Sequence, residues 1–265
     1  MRSLPSTLEL VLFENDATRI KHHLDSGLSS FLIDLEILGK DLRQLGFNTE
    51  IRPGTLEDLR AIAAQSAAKV WCRLNRFGSH TPEEVNLVLA AGADVVMLPM
   101  ITTISEVATF IDLVGQRCEI GLMIETLDGV RLAPKLSRLS IDYVFFGLND
   151  FAISRGGGSI FQALLDGSVE KVRQAIPDIR FGVGGLTDLR QGHPIPSFRL
   201  LEEINRLGCD FTFLRRSFRK DSESVPASEI VQGIQSYWQQ CSLRSDTQRR
   251  QDHDALATLV RDFNT

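Results

Sequence analysis

The sequence predicts a single-domain (β/α)8 TIM barrel with an extra C-terminal helix, and three observations carry that prediction. Eight short apolar runs rich in Val, Ile and Phe recur along the 265 residues. Each is followed by an amphipathic stretch long enough for one crossover helix. The first and third strand-to-helix turns lack the Gly-rich phosphate fingerprint of a doubly wound open sheet.

The runs are LELVLF from Leu8, SFLIDLEI from Ser30, KVWCRL from Lys69, DVVMLPM from Asp94, EIGLMIE from Glu119, DYVFFGL from Asp142, IRFGVGG from Ile179 and DFTFLRR from Asp210. Their starts lie 22, 39, 25, 25, 23, 37 and 31 residues apart. Runs apolar on both faces suit strands of a parallel sheet buried between helices and core. Eight such units make a barrel. The two long spacings predict extra loops or helices after the second and sixth strands. Between strands three and four, Thr81 is the expected N-cap, Pro82 the first helical residue and Glu84 the partner in a capping box. Val85, Leu87, Val88, Leu89 and Ala91 form the apolar stripe of that helix, and Gly92 stops it. The eighth helix is expected to end near Cys241. Residues 1–241 are thus read as the barrel, and residues 242–265 as a charged tail or oligomerisation helix with Leu256, Leu259, Val260 and Phe263 on its apolar side.

Composition narrows the partners. With 43% hydrophobic and 24% charged residues the chain is neither fibrous nor disordered, and a net charge of −5 has the wrong sign for a general nucleic-acid or anionic-membrane binder. An anionic ligand must therefore meet a local group of cations. Cys72, Cys118, Cys209 and Cys241 are far apart and form no C-x-x-C pair, so they read as reduced thiols of a cytoplasmic protein. The apolar stretch near the start, Leu8 to Phe13, is far short of a membrane span.

In such a barrel the chemistry stands at the C-terminal ends of the strands. Reading those positions gives Asn15, Glu36, Arg73 and Asn75, Pro99, Glu125, Asn149 and Asp150, Gly184 and Gly185, and Arg215 and Arg216. Glu125 and Asp150 follow adjacent strands, which brings two carboxylates together across the mouth. Hard oxygen donors without His or Cys favour Mg2+ or Mn2+ over Zn2+, with water and substrate completing the shell. The glycines after strand seven and the two arginines after strand eight also form a possible anion site. Alternation along a strand sends one of those arginines outward.

The stretch GLMIETLDGV followed by DYVFFGLNDFAISRG resembles the metal-binding core of the hydroxy-oxo-acid aldolase and citrate lyase β-subunit family, in the phosphoenolpyruvate/pyruvate barrel superfamily. The resemblance implies that Glu125 and Asp150 hold a divalent metal. It also implies that Arg73, in VWCRLN, contacts an enolate or carboxylate of the substrate. AAGADVVMLPMITTISEV is similar to the family's fourth-strand segment. The likeness spans roughly residues 8 to 221 and is strongest from 69 to 156. FLIDLEI matches a strand-two D-x-E segment through Asp34 and Glu36, but Ile37 stands where the aldolases carry a His and the citrate lyase branch an Asp. The acid that the aldolases place before the fourth-strand glycine is likewise replaced by Ala90-Ala91. The aldolases' own route for deprotonating an aldol hydroxyl is therefore missing.

The expected activity is a divalent-metal-dependent carbon–carbon lyase or aldolase, or the reverse condensation, working through a pyruvate- or oxaloacetate-like enolate. The substrate is a small 2-oxo acid or an acyl thioester. The thioester rests on the resemblance alone, as does assembly into a homo-oligomer, a trimer or hexamer. Arg73, Glu36 and Asp34 are the candidate catalytic residues, and Asp34 and Glu36 also suit an orienting role beside Arg73. Arg73, Asn75, Pro99, Gly184, Gly185 and Arg215 are the candidate substrate contacts, and Glu125 and Asp150 the candidate ligands of Mg2+ or Mn2+. Two alternatives stay open: a phosphoenolpyruvate-using enzyme on the same barrel, and a barrel subunit without catalysis.

Overall fold

In the computed structural model, which describes residues 4–38 and 53–263, the eight apolar runs become eight parallel strands. They are β1 (Glu9–Phe13), β2 (Ser30–Asp34), β3 (Lys69–Arg73), β4 (Val95–Leu98), β5 (Glu119–Ile124), β6 (Tyr143–Phe146), β7 (Arg180–Val183) and β8 (Phe211–Phe213). Each begins within one residue of its predicted run. They close in chain order, with β8 pairing to β1 through Leu10 opposite Thr212. The fold is the predicted (β/α)8 barrel.

The helices among the described residues are α1 (Ala17–Asp25), α2 (Leu56–Ala63), α3 (Thr81–Ala90), α4 (Ile104–Val114), α5 (Leu127–Leu136), α6 (Leu148–Ser154), α7 (Gln162–Leu165), α8 (Ser168–Ala175), α9 (Ser197–Arg206), α10 (Ser217–Ser224), α11 (Ala227–Ser242) and α12 (Asp246–Phe263). The long spacing after β6 is taken up by α6 to α8. The insert predicted after β2 falls largely outside the described residues. One helix start differs from expectation. His80, not Thr81, is the N-cap of α3, and no side chain caps that helix. Glu84 does not close a capping box because its Oε1 accepts from the Asn75 backbone N–H and side-chain amide. Complete capping boxes occur instead at Thr55 with Asp58 and at Thr103 with Glu106.

Side chains alternate along each strand, so every second residue enters the barrel. Val11, Leu32, Trp71, Val95, Met97, Met123, Tyr143, Phe145, Phe211 and Phe213 fill the interior as one buried cluster. Trp71, Tyr143 and Phe211 meet with ring centroids 4.4 to 5.4 Å apart, and Phe145 stacks on Phe213 at 4.0 Å. This packed plug blocks the axis and leaves the last inward position of each strand to face the mouth. A larger cluster, including Ile33, Cys72, Val96, Phe146 and Phe181, joins the outer strand faces to the helices.

After the barrel, α12 lies along α9 of the same chain and buries Leu256, Ala257 and Val260. Its polar side is tied down as well: His253 Nδ1 is 3.0 Å from Glu203 Oε2, and Arg244 is 2.8 Å from Glu202. No helix among the described residues is long and apolar enough to cross a membrane.

Candidate active site

The site is the next layer above the aromatic plug. Continuing the inward phase of each strand by two residues leads from Leu32 to Asp34 and Glu36, and from Trp71 to Arg73. The same step leads from Met123 to Glu125, from Phe145 to Gly147, and from Phe213 to Arg215. All six line one cavity at the C-terminal mouth, with Phe13, Met123, Phe145 and Phe213 also on its wall. Its volume is about 1610 Å³, more than a three- or four-carbon acid fills, so the carboxylate end is one part of a longer pocket.

Arg73 is held from both sides. Its Nε and Nη2 donate to the two carboxylate oxygens of Asp34 at 2.9 and 2.6 Å, a bidentate pair. Nη1 lies 3.4 Å from Glu36, and the Phe13 ring is 5.6 Å from the guanidinium carbon. Burial opposes its charge, but Asp34 and then Glu36 more than offset this, and the pKa rises. A permanently charged fork is thereby fixed in place, with N–H groups on Nη1 and Nη2 still available to an oxyanion.

Glu125 is buried at 3% exposure, directly after β5. Burial, and after it the negative charge of Asp150, push its carboxyl up to about 7. Asp150 sits in the first turn of α6, half-buried, after Gly147, which follows β6 and is the N-cap of that helix. Gly147 is obligatory here: a Cβ would stand 2.5 Å from Cγ and Oε1 of Glu125. The other Glu125 oxygen accepts from the Met100 N–H at 3.1 Å. Met100 has φ 54°, the left-handed region that a non-glycine residue rarely adopts, so the turn after β4 holds its amide toward Glu125 at a backbone cost. Thr126 completes the cradle, donating to the Ile101 carbonyl at 2.9 Å while capping α5 through Gly129.

Two carboxylates at one mouth whose charges oppose each other are stabilised by a cation between them. That charge arrangement, and the room Gly147 keeps, fit a hard divalent ion. Among the described residues no group of three or more His, Cys, Asp or Glu forms a metal cage. Two protein carboxylates with water and substrate oxygens would thus have to complete the shell, the manner in which Mg2+ is usually held.

On the opposite wall, Gly184 adopts φ 79° and Gly185 passes close to Arg215, whose Nε donates to the Gly185 carbonyl at 2.8 Å. Of the two adjacent arginines, Arg215 keeps the inward phase of β8, but its neighbour is not sent outward as alternation predicted: the chain leaves the strand there, and Arg216, the N-cap of α10, lines the same cavity.

Two expected substrate contacts lie elsewhere. Asn75 does not line the cavity; its Oδ1 accepts from the backbone N–H groups of Ile37 and Leu38 at 2.8 Å each, and its amide donates to Glu84. It fastens the loop after β2. Pro99 is buried and also off the cavity wall, and the neighbouring Met100 supplies the polar contact through its amide. Met100, Thr126, Gly147 and Phe13 were missed by reading strand ends for charged residues, because their roles are a backbone donor, a cap, a space and a ring. The glycine two residues beyond Phe145, in the inward phase, was the one available signal.

Residues 49–175 match the HpcH/HpaI aldolase/citrate lyase family. This is the family the motifs resembled, and the match spans Arg73, Glu125 and Asp150. The match covers just under half of the chain and is to a family of carbon–carbon lyases. Solved structures agree on the architecture. An HpcH/HpaI aldolase from Desulfitobacterium hafniense DCB-2 is 15% identical, with a TM-score of 0.59 over 85% of this chain and 93% of that one. The citrate synthase SbnG is 16% identical, with a TM-score of 0.59 over 84% and 94%. CitE from Mycobacterium tuberculosis, in complex with magnesium, acetoacetate and coenzyme A, is 16% identical, with a TM-score of 0.60 over 95% and 87%. At these identities the likeness is one of fold. Among curated proteins none matches the sequence.

Proposed function

We propose that the protein is a divalent-metal-dependent carbon–carbon lyase or aldolase, or the reverse condensation enzyme, acting through the enolate of a small 2-oxo acid. The observation that carries this reading is that buried Glu125, Asp150 and a clamped Arg73 line one cavity at the barrel mouth. The family match and the magnesium of the CitE neighbour support it.

Glu125 and Asp150 would hold Mg2+ or Mn2+, which supplies Lewis acidity toward the carboxylate and 2-oxo oxygens of the substrate. Arg73 stabilises the same developing negative charge, because its free N–H groups are aimed before the reaction begins and cost no reorganisation. Asp34 and Glu36 position Arg73. Phe13, Met123, Phe145 and Phe213 keep water from beneath the reacting carbons and strengthen each of these interactions. Ile37 carries no acid–base group, so this chain does not use a His at that position. In this reading residues 1–241 are the catalytic barrel and residues 242–265 its appendage.

Exchange of pyruvate methyl protons in D2O, followed by NMR with and without Mg2+, tests the proposal. The native protein is expected to accelerate exchange only with the metal. Glu125→Gln and Asp150→Asn should each lower the rate roughly 10³-fold, as loss of several kcal/mol of charge stabilisation demands. Exchange that ignores Mg2+, or survives both substitutions, would refute it.

A further inference from the structure

Besides Arg73 the cavity is lined by Arg215 and Arg216, and the surroundings of Arg215 are unlike those of Arg73. Arg215 is half-buried on the cavity wall, and among the described residues its side chain makes a single polar contact, the Nε–H donated to the Gly185 carbonyl. Burial alone bears on its charge, and lowers its pKa. The acids nearby in the fold are engaged elsewhere: Asp188 forms a bidentate pair with Arg190, and Asp221 accepts from Thr187. A cation drawn out of water without an acid is costly, and an anionic ligand offsets that cost.

The local sequence also seats this side chain. A Cβ on Gly185 would come within 3.1 Å of Arg215 Cγ, so glycine lets the arginine stem lie against the turn after β7. Lys220, on the adjoining α10, lines the same cavity and adds positive charge. Around the barrel, Arg73 stands on β3, Glu125 and Asp150 follow β5 and β6, and Arg215 follows β8. One pocket therefore has an end suited to a 2-oxo acid and, across the mouth, a guanidinium whose Nη1 and Nη2 are open to an anion.

We propose that Arg215 receives a second anionic group of the substrate, a carboxylate or a phosphate remote from the 2-oxo acid, so that the natural substrate class is a dianionic oxo acid. This rests on the reading of Glu125, Asp150 and Arg73 as the 2-oxo-acid end. It explains why the pocket extends well beyond that end, and how an acidic protein draws in a doubly charged molecule.

Calorimetric titration in the presence of Mg2+ with three chain-matched ligands tests it: 2-oxopentanoate, 2-oxoglutarate and 2-oxo-4-phosphonobutanoate. The first lacks the distal charge and serves as reference. The native protein should bind at least one of the other two roughly tenfold tighter or better, and the preferred one identifies carboxylate or phosphate. In Arg215→Met the preference should fall to near unity, and in Arg215→Lys, which keeps a charge, part of it should survive. Equal affinity of all three for the native protein, or an unchanged preference in Arg215→Met, would overturn the proposal while leaving the 2-oxo-acid reading intact. If none of the three binds the native protein, the 2-oxo-acid reading itself fails, and this one with it.

Discussion

The two ends of the barrel contain the same kinds of residue in opposite states of completion. At the N-terminal end, Lys69, Glu119, Tyr143 and Arg180 begin four strands and close on one another. Lys69 meets Glu119 at 2.7 Å, Arg180 pairs with Glu119, and both cations donate to the Tyr143 hydroxyl at 2.5 Å. Although burial works against it, Lys69 and Arg180 hold the Glu119 carboxyl below the usual range. At the C-terminal end Arg73 is clamped by Asp34 and Glu36, but the balance is not complete. Burial and then the charge of Asp150 push Glu125 upward, and among the described residues Arg215 is paired with no acid. A closed network stabilises a fold, whereas an open one has interactions still to make, and those are where a ligand binds. The packed aromatic layer between them keeps the two ends sterically apart.

The contrast can be broken at Asp34, with the largest expected effect. Asp34→Ala leaves a buried guanidinium with Glu36 alone, and should lower the unfolding free energy by about 3 kcal/mol in urea while abolishing metal-dependent exchange. A loss well under ~1 kcal/mol would mean that Arg73 does not depend on this clamp. At the closed end, Glu119→Gln should cost about 1 kcal/mol, since its partners are roughly a third exposed, and leave the exchange rate unchanged. A fall in rate comparable to that of Glu125→Gln would erase the distinction between the ends.

The smallest effect belongs to α12. A hydrogen bond to Glu203 raises the pKa of His253 above its ordinary 6.5. A raised folded-state value means that the protonated pair stabilises the docked helix below about 6.5, and that this contribution is lost as pH rises through the folded pKa. Hydrogen exchange corrected for intrinsic rates should show α12 better protected near pH ~6 than near pH ~8.5. In His253→Gln the two should coincide. A native helix equally protected at both would contradict the role given to His253.

The strands were legible because each is a short run of Val, Ile, Phe and Leu buried on both faces, a pattern that water and packing enforce locally. Arg73, Glu125, Asp150, Asp34, Glu36 and Arg215 were legible for a related reason: charged residues at the end of a buried run have little place to stand except the mouth. Asn75 and Glu84 were not, because each had two suitors in sequence and the fold paired them with each other. The turn at Met100 was hidden too, since nothing in a methionine announces a left-handed backbone, and the function there belongs to an amide. The tail beyond Cys241 was read as charged, and it is. Its packing on α9 depends on Glu202 and Glu203, buried acids on a helix some forty residues earlier, which no local pattern connects to His253 and Arg244.

The central claim is that Glu125 and Asp150 together hold a divalent cation. Titration of Mn2+ into the metal-free protein, followed by the paramagnetic resonance of the free ion and repeated with oxalate as a mimic of the enolate, tests it most directly. The account predicts saturable Mn2+ binding that oxalate tightens, weakened roughly 10²-fold or more in Glu125→Gln and Asp150→Asn. Binding of equal strength in the native protein and in both variants, or no binding by the native protein with oxalate present, would contradict it.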